Sequence, residues 1–404
     1  MRIVLLCEAP ICVDAGGIAQ TLYNIVSFTA PENLLCISPE QEIKSYPPSA
    51  PYTNCYIGYK FQIFSLGANR ISKYVGKYVE LINFSINQHR SFRKIKQAII
   101  NFQPNVIISC PNGAIGVLMH QRLLKDMDVK VFPYFMDDWM YQINFNWLGG
   151  NLHTAIQQIL QRNTNWLVIS NELKELLSKR YQVHPKNFLV IRNPVDITDE
   201  HDDVIIAPVI KDKKELTIAY AGALWDMHYD SFLLAAKAIH QLQLEINVRL
   251  VLYCATHFWE WRGSELQLYN VQYGGNIPYA HIHQKLKEAD ALLLVSSFSA
   301  RVYTHSSASI QTKITDYLKA KKLIISCGPS YSANHQFLKT YDCGCCIESD
   351  MQEEVVAYLK KVITNLPAFN YRINNGYKVL QEEFSKEVVH RKLKNFMINE
   401  INAA

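Results

Sequence analysis

Apolar and polar positions along the chain run through the same pattern twice. In the first round, short continuous apolar runs at residues 3–7, 33–38, 106–110, 129–135, 166–170 and 187–192 alternate with stretches of helical periodicity, beginning with 19–28. Apolar runs without in–out alternation predict strands covered on both faces, which is the signature of a parallel sheet between helical layers. A polar, charged stretch at 196–203 and 211–215 then interrupts the pattern and reads as a linker. The second round has strands at 216–221, 248–253, 271–273, 291–296, 323–327 and 343–347. Helices are expected near 231–241, 280–288, 310–320 and 351–364, with a helical tail over 377–402. The pattern predicts an α/β protein of two Rossmann-like, doubly wound domains facing a cleft, with ligands at the carboxyl ends of the strands. The expected divisions are 1–195, a linker at 196–215, a second domain at 216–375, and a C-terminal helix at 376–404 that packs back on the first domain.

The 404 residues suffice for two cores, and 49% hydrophobic against 19% charged residues is ordinary globular composition. No apolar run approaches the ~18 residues that cross a bilayer. The first apolar run is too short for a signal peptide, so a cytoplasmic location is expected. Most of the ten cysteines sit inside apolar runs, as buried thiols do. Cys343-Gly344-Cys345-Cys346 lacks the second pair that a zinc site requires, so neither a metal nor a disulfide framework is expected. The net charge of +5 is unevenly spread. Between Tyr59 and Gln97, Lys60, Arg70, Lys73, Lys77, Arg90, Arg93, Lys94 and Lys96 face Glu80 alone, with Tyr and Phe interleaved. This segment fits a solvated helical face. It equally fits a surface that meets anionic lipid headgroups or a lipid-linked acceptor at the inner membrane face. The chain as a whole is too mildly basic to point to nucleic acid.

Several passages in order resemble the glycosyltransferase family 4 type of GT-B enzyme. They are Gly16-Gly17-Ile18 after the first strand and Val168–Leu173 followed by Val190–Asp196. Further along come the glycine turn Ile218–Leu224, the strand Ala289–Ser296, and Thr312–Ile325 with its Lys313-Ile314-Thr315-Asp316-Tyr317 core. The chain departs from the family's pattern at Ala223, where an arginine is usual, and at Ala308, where the first of two paired acids is usual. The resemblance implies transfer of a sugar from a nucleoside-diphosphate sugar to a glycan, lipid-linked or small-molecule acceptor, retaining and without metal or other cofactor. It places Gly222 beside the diphosphate, adds Asn193 to the donor-binding set, and puts an acid or histidine after the 129–135 strand.

The residue types support the same chemistry. A departing diphosphate gains negative charge, which positioned cations and backbone N–H groups stabilise. Lys313 at a helix start and Arg301 in the polar loop after 291–296 suit that task, and Asp316, one turn after Lys313, suits a ribose hydroxyl pair. Gly16, Gly17 and Gly222 allow close backbone approach to phosphate or sugar. Asp137 and Asp138 stand where an acid could orient hydroxyls or act as base, with helix capping as the plainer role. His228 near the missing arginine and His305 in the serine-rich loop 305–309 are further basic candidates, with an exposed loop histidine as the plainer reading of the second. A nucleotide-sugar epimerase or hydrolase, or a non-catalytic nucleotide-sugar-binding relative, would share these features. A Rossmann oxidoreductase is disfavoured because the first turn lacks G-x-G-x-x-G spacing.

Overall fold

A computed structural model of the chain describes residues 1–13, 17–60, 70–111, 113–139, 146–197 and 215–403, a few of the helical ones by backbone alone. Two compact units emerge. Unit 1 comprises Met1–Ile191 with His390–Ala404, and unit 2 comprises Arg192–Val389. The expected linker at 196–215 lies almost wholly outside the described residues.

Unit 1 is built on strands β1 (Ile3–Cys7), β2 (Leu34–Pro39), β3 (Tyr56–Tyr59), β4 (Val106–Cys110), β5 (Lys130–Phe135), β6 (Asn165–Val168) and β7 (Asn187–Val190). Its helices are α1 (Gly17–Val26), α2 (Glu40–Ser45), α3 (Arg70–Phe102), α4 (Ala114–Leu123), α5 (Asn146–Arg162) and α6 (Asn171–Tyr181). Every strand pairing is parallel, in the order β3-β2-β1-β4-β5-β6-β7. All five residues of β1 and of β4 are buried, whereas the edge strands β3 and β7 are partly exposed. The fully buried runs at 3–7 and 106–110 are therefore central strands, whereas the run at 187–192 supplies an edge strand. β3 escapes the sequence pattern because an edge strand with one Gly has no such run.

Unit 2 repeats the design with β8 (Leu216–Ala221), β9 (Val248–Tyr253), β10 (Gln272–Gly275), β11 (Ala291–Val295), β12 (Leu323–Cys327) and β13 (Cys345–Ile347). Its helices are α7 (Asp226–Leu242), α8 (Thr256–Gln267), α9 (Tyr279–Glu288), α10 (Tyr303–Ala308), α11 (Lys313–Lys319), α12 (Ala333–Thr340), α13 (Gln352–Ile363) and α14 (Asn370–Val379). The order is β10-β9-β8-β11-β12-β13, again all parallel. One face of the sheet packs on α7 and α13 through residues such as Phe232, Leu250, Leu293 and Leu359. The other packs on α9, α11 and α12 through Leu292, Ile314, Tyr317 and Leu338. Each such side chain, fully buried, contributes about 1.5–3 kcal/mol.

In both sheets the strand order reverses once, between β1 and β4 and between β8 and β11. Diverging connections leave a crevice at the carboxyl ends of those strands, where open α/β sheets bind ligands. The last helix, α15 (Lys386–Asn402), starts in unit 2 and ends in unit 1. There Glu400 accepts hydrogen bonds from Asn165 Nδ2 (2.7 Å) and Asn187 Nδ2 (2.6 Å). No described helix is long and apolar enough to cross a membrane.

Candidate functional site

The reversal point of unit 2 lies between the turn after β8 and the loop after β11. The backbone of β8 is held at its end by two bonds: Ala221 N–H donates to Tyr317 Oη (2.9 Å) and Gly222 N–H to Tyr253 O (2.9 Å). Gly222 then turns with φ +136°, a conformation that L side chains rarely adopt. It also leaves room for a neighbour: a Cβ on Gly222 would fall 2.5 Å from Lys313 Nζ. The structure thus brings together two residues that lie 91 positions apart in the sequence.

Lys313 opens α11, and its ammonium group lies 3.8 Å from the centre of the Tyr220 ring. The Nζ atom is buried and has no hydrogen-bond partner. Burial pushes its pKa down from 10.5 to about 7. An amine held this way costs free energy in the free protein, and an anion beside it would recover that cost. His228 on α7 is buried with Nδ1 3.3 Å from Ala223 O. Burial first, then the nearby charges of Lys313 and His305, push its pKa down to about 3. His228 of α7 and Lys313 of α11 therefore flank the turn at Gly222 and Ala223, and the charge of His305 on α10 is felt at His228.

Asp316 points elsewhere on the same helix. Its Oδ1 accepts from Tyr279 Oη of α9 (2.8 Å), and burial pushes the carboxyl up to about 6 against the lowering effects of Tyr279 and Lys319. Arg301 sits on the 3-10 turn Ala300–Val302, with an exposed side chain. Asn193 is buried in the crossover segment, next to the bridge between Val195 and Ser385. Tyr279 did not stand out in the sequence, and Tyr317 stood in the 313–317 motif without a role, since a tyrosine in a helix carries no signal of where its hydroxyl ends.

The loop after β11 is set by polar side chains that the sequence pattern also passed over. Asp230 of α7 accepts from Ser297 Oγ (2.6 Å) and Phe298 N–H (3.1 Å). Asn334, fully buried at the start of α12, donates to Ser296 Oγ (2.9 Å) and accepts from Gln311 N–H (3.1 Å). These bonds fix the approach to α11, and so the position of Lys313.

In unit 1, Asp138 follows β5 as expected and is buried, with Oδ1 accepting from Arg180 of α6 at 2.5 Å. Burial alone would lower the Arg180 pKa, but the hydrogen bond and charge of Asp138 hold it above the usual value. Asp137 beside it is half-buried. Gly17 begins α1, while Gly16 lies outside the described residues. At the reversal point of this sheet, Glu8 takes a hydrogen bond from Gly116 N–H in the first turn of α4 (3.2 Å). A Cβ on Gly116 would fall 2.3 Å from that carboxylate. Glu8 thereby supplies negative charge to the positive end of α4. Its only trace in the sequence is the spacing of Gly113 and Gly116. Of the basic segment, most side chains between 61 and 89 lie outside the described residues. Arg90 and Arg93 are exposed, and Lys94 bonds Gly58 O (2.9 Å) near Glu40.

No family model matches the chain, and no curated protein matches it in sequence. Solved structures match it in fold. HepE from Anabaena, in complex with UDP, gives a TM-score of 0.70 at 12% identity, covering 99% of this chain and 100% of that one. Sucrose-phosphate synthase from Thermosynechococcus elongatus gives 0.69 at 11% identity, covering all of both chains. An E. coli trehalose-6-phosphate structure bound with UDP-2-fluoro glucose gives 0.65 at 9% identity over 98% and 99%. At such identities the likeness shows a common fold, the two Rossmann-like units of the GT-B architecture. The matches span several differently named proteins, so the likeness shows the GT-B fold and does not single out family 4.

Proposed function

We propose that this GT-B chain is a glycosyltransferase that binds a nucleoside-diphosphate sugar in unit 2 and passes the sugar to an acceptor. One observation carries the reading: the buried, unpartnered Lys313 ammonium beside the Gly222 turn, at the strand-order reversal of the second sheet. The most economical occupant for such a spot is a diphosphate. Its negative charge restores the proton that burial removes, and the charge grows as the sugar–phosphate bond breaks, so Lys313 stabilises the transition state more than the ground state. His228, beside the same turn, stands ready to add a hydrogen bond at the anion, with His305 of α10 near it. Asp316 with Tyr279, one turn along α11, suits ribose or sugar hydroxyls. Arg301 on the rim and Asn193 complete the proposed donor set.

The described residues contain no group of three or more His, Cys, Asp or Glu side chains that could hold a metal. Departure assisted by Lys313 without metal, with retention at the anomeric carbon, is the proposed course. In unit 1, Gly16 and Gly17 are proposed for the donor-binding set, and Asp137 and Asp138 for the acceptor side. Because HepE and the E. coli protein are solved with uridine nucleotides, UDP-glucose is the first donor to test. Calorimetry should give UDP binding that Lys313→Ala weakens, and turnover should persist in EDTA. Release of free sugar with no acceptor product, across a broad acceptor panel, would move the assignment to a hydrolase. Loss of turnover in EDTA, restored by a divalent ion, would overturn the metal-free course.

A further inference from the structure

We propose that Trp225 and Trp261 form a stacking platform for a pyranose ring of a carbohydrate acceptor, on the rim of unit 2 beside the donor site; the proposal rests on the transferase reading above. Trp225 precedes α7, on the turn that begins at Gly222. Three Cα–Cα steps of chain separate the two, so their Cα atoms lie at most ~11 Å apart. Trp261 is on α8, the helix packed beside that turn: Trp225 meets Phe258 of α8 edge-on at 4.7 Å.

Both indoles are about half exposed, at 52% and 54%. The other described tryptophans differ. Trp139 and Trp166 are buried, and Trp259 stacks flat on Tyr273 at 4.9 Å. The exposed pair is held by polar contacts. The Arg262 guanidinium lies 3.8 Å from the ring centres of both Trp261 and Tyr229, and its Nη2 bonds Asp226 Oδ1 at 2.7 Å. Asp226 is the residue after Trp225, so one ion pair ties the two tryptophan-bearing elements together. Tyr229 is anchored in turn by its hydroxyl to Glu265.

This surface suits a sugar better than a protein. Two rings bordered by Asp226, Glu260, Arg262 and Glu265 make far less than the several hundred Å² of contiguous apolar surface that a protein partner covers. A pyranose presents an apolar C–H face, slightly positive toward a ring's negative face, and a rim of hydroxyls. The indoles match the face, and the Asp226–Arg262 pair matches the hydroxyls. The flat side of Trp261 opposite Arg262 is the natural contact. Rings fixed in advance lose little entropy when a ligand arrives.

The test uses the full chain without nucleotide, with maltoheptaose, cellohexaose and chitohexaose as probes. Iodide quenching of tryptophan fluorescence reports exposed indoles, these two among them. At least one oligosaccharide should shield them. Trp225→Ala and Trp261→Ala should each weaken that binding about tenfold or more, and Trp261→Tyr should keep it within about threefold. UDP affinity, measured separately, should stay the same in all three variants. No shielding by any of the three probes, or shielding that survives both alanine variants, overturns the platform. Failure of UDP to bind wild type would instead strike the donor reading and leave the oligosaccharide readout intact.

Discussion

Lys313→Met should make the free protein more stable and the donor complex weaker. Methionine keeps the length and apolar stem of the side chain while removing the amine. A lysine ordinarily titrates near 10.5 in the unfolded chain, and here the folded value is about 7. Above pH 10.5 both states are neutral and the group costs nothing. As pH falls toward 7, the unfolded chain gains a proton that the folded chain refuses, so stability drops, and below 7 the loss is complete. At pH 8 the difference amounts to about 3 kcal/mol at ~1.4 kcal/mol per pH unit. If relaxation around the site recovers half, roughly 1.5 kcal/mol remains, enough to raise the melting temperature of a unit this size by about 3–6 °C. The bound state inverts the balance. A charge-assisted contact to diphosphate is worth about 1.5–3 kcal/mol, so the variant should bind UDP roughly 10- to 150-fold more weakly. Thermal unfolding at pH 8 with and without UDP reads both effects. Calorimetry in buffers of different ionisation enthalpy should show proton uptake on UDP binding by wild type at pH 8, and less or none by the variant. A variant that melts lower than wild type and binds UDP equally well would refute the reasoning.

Gly222→Ala forces a side chain into a positive-φ turn, at about 1–3 kcal/mol, and drives its Cβ against Lys313 Nζ; UDP affinity should fall about as far as in Lys313→Ala, and an unchanged dissociation constant would separate Gly222 from the site. Asp138→Ala leaves the Arg180 guanidinium partly buried without its partner and should cost about 3–5 kcal/mol in denaturant unfolding. A midpoint shift worth less than about 1 kcal/mol would mean that the pair is well solvated. Replacing Arg90, Arg93, Lys94 and Lys96 together with Gln should abolish pelleting with anionic liposomes while leaving UDP binding intact. Equal, negligible pelleting of wild type with anionic and neutral liposomes would return the segment to a solvated face.

The sequence by itself determined the layers. Continuous apolar runs such as 3–7, 106–110, 291–295 and 323–327 can be satisfied only by central parallel strands, and each forms one. It also determined that two such sheets exist, because the pattern stops at a charged stretch and begins again. The edge strand β3 and helices α8 and α12 were not legible, since their residues lack a sustained period and are set by what they pack against. Lys313, Asp316 and Gly222 could be singled out from residue type and position. What the first of them does could not: only the fold puts its Nζ beside Gly222 and over Tyr220, and burial there is what makes it an uncompensated amine. The same holds for Asp138, which reads as a base or a helix cap at a strand end until Arg180 of α6 is brought against it. Periodicity is a local property that a chain displays along its own length. Burial of a charge and the partner it meets depend on residues tens of positions away, and only the packed tertiary structure decides them.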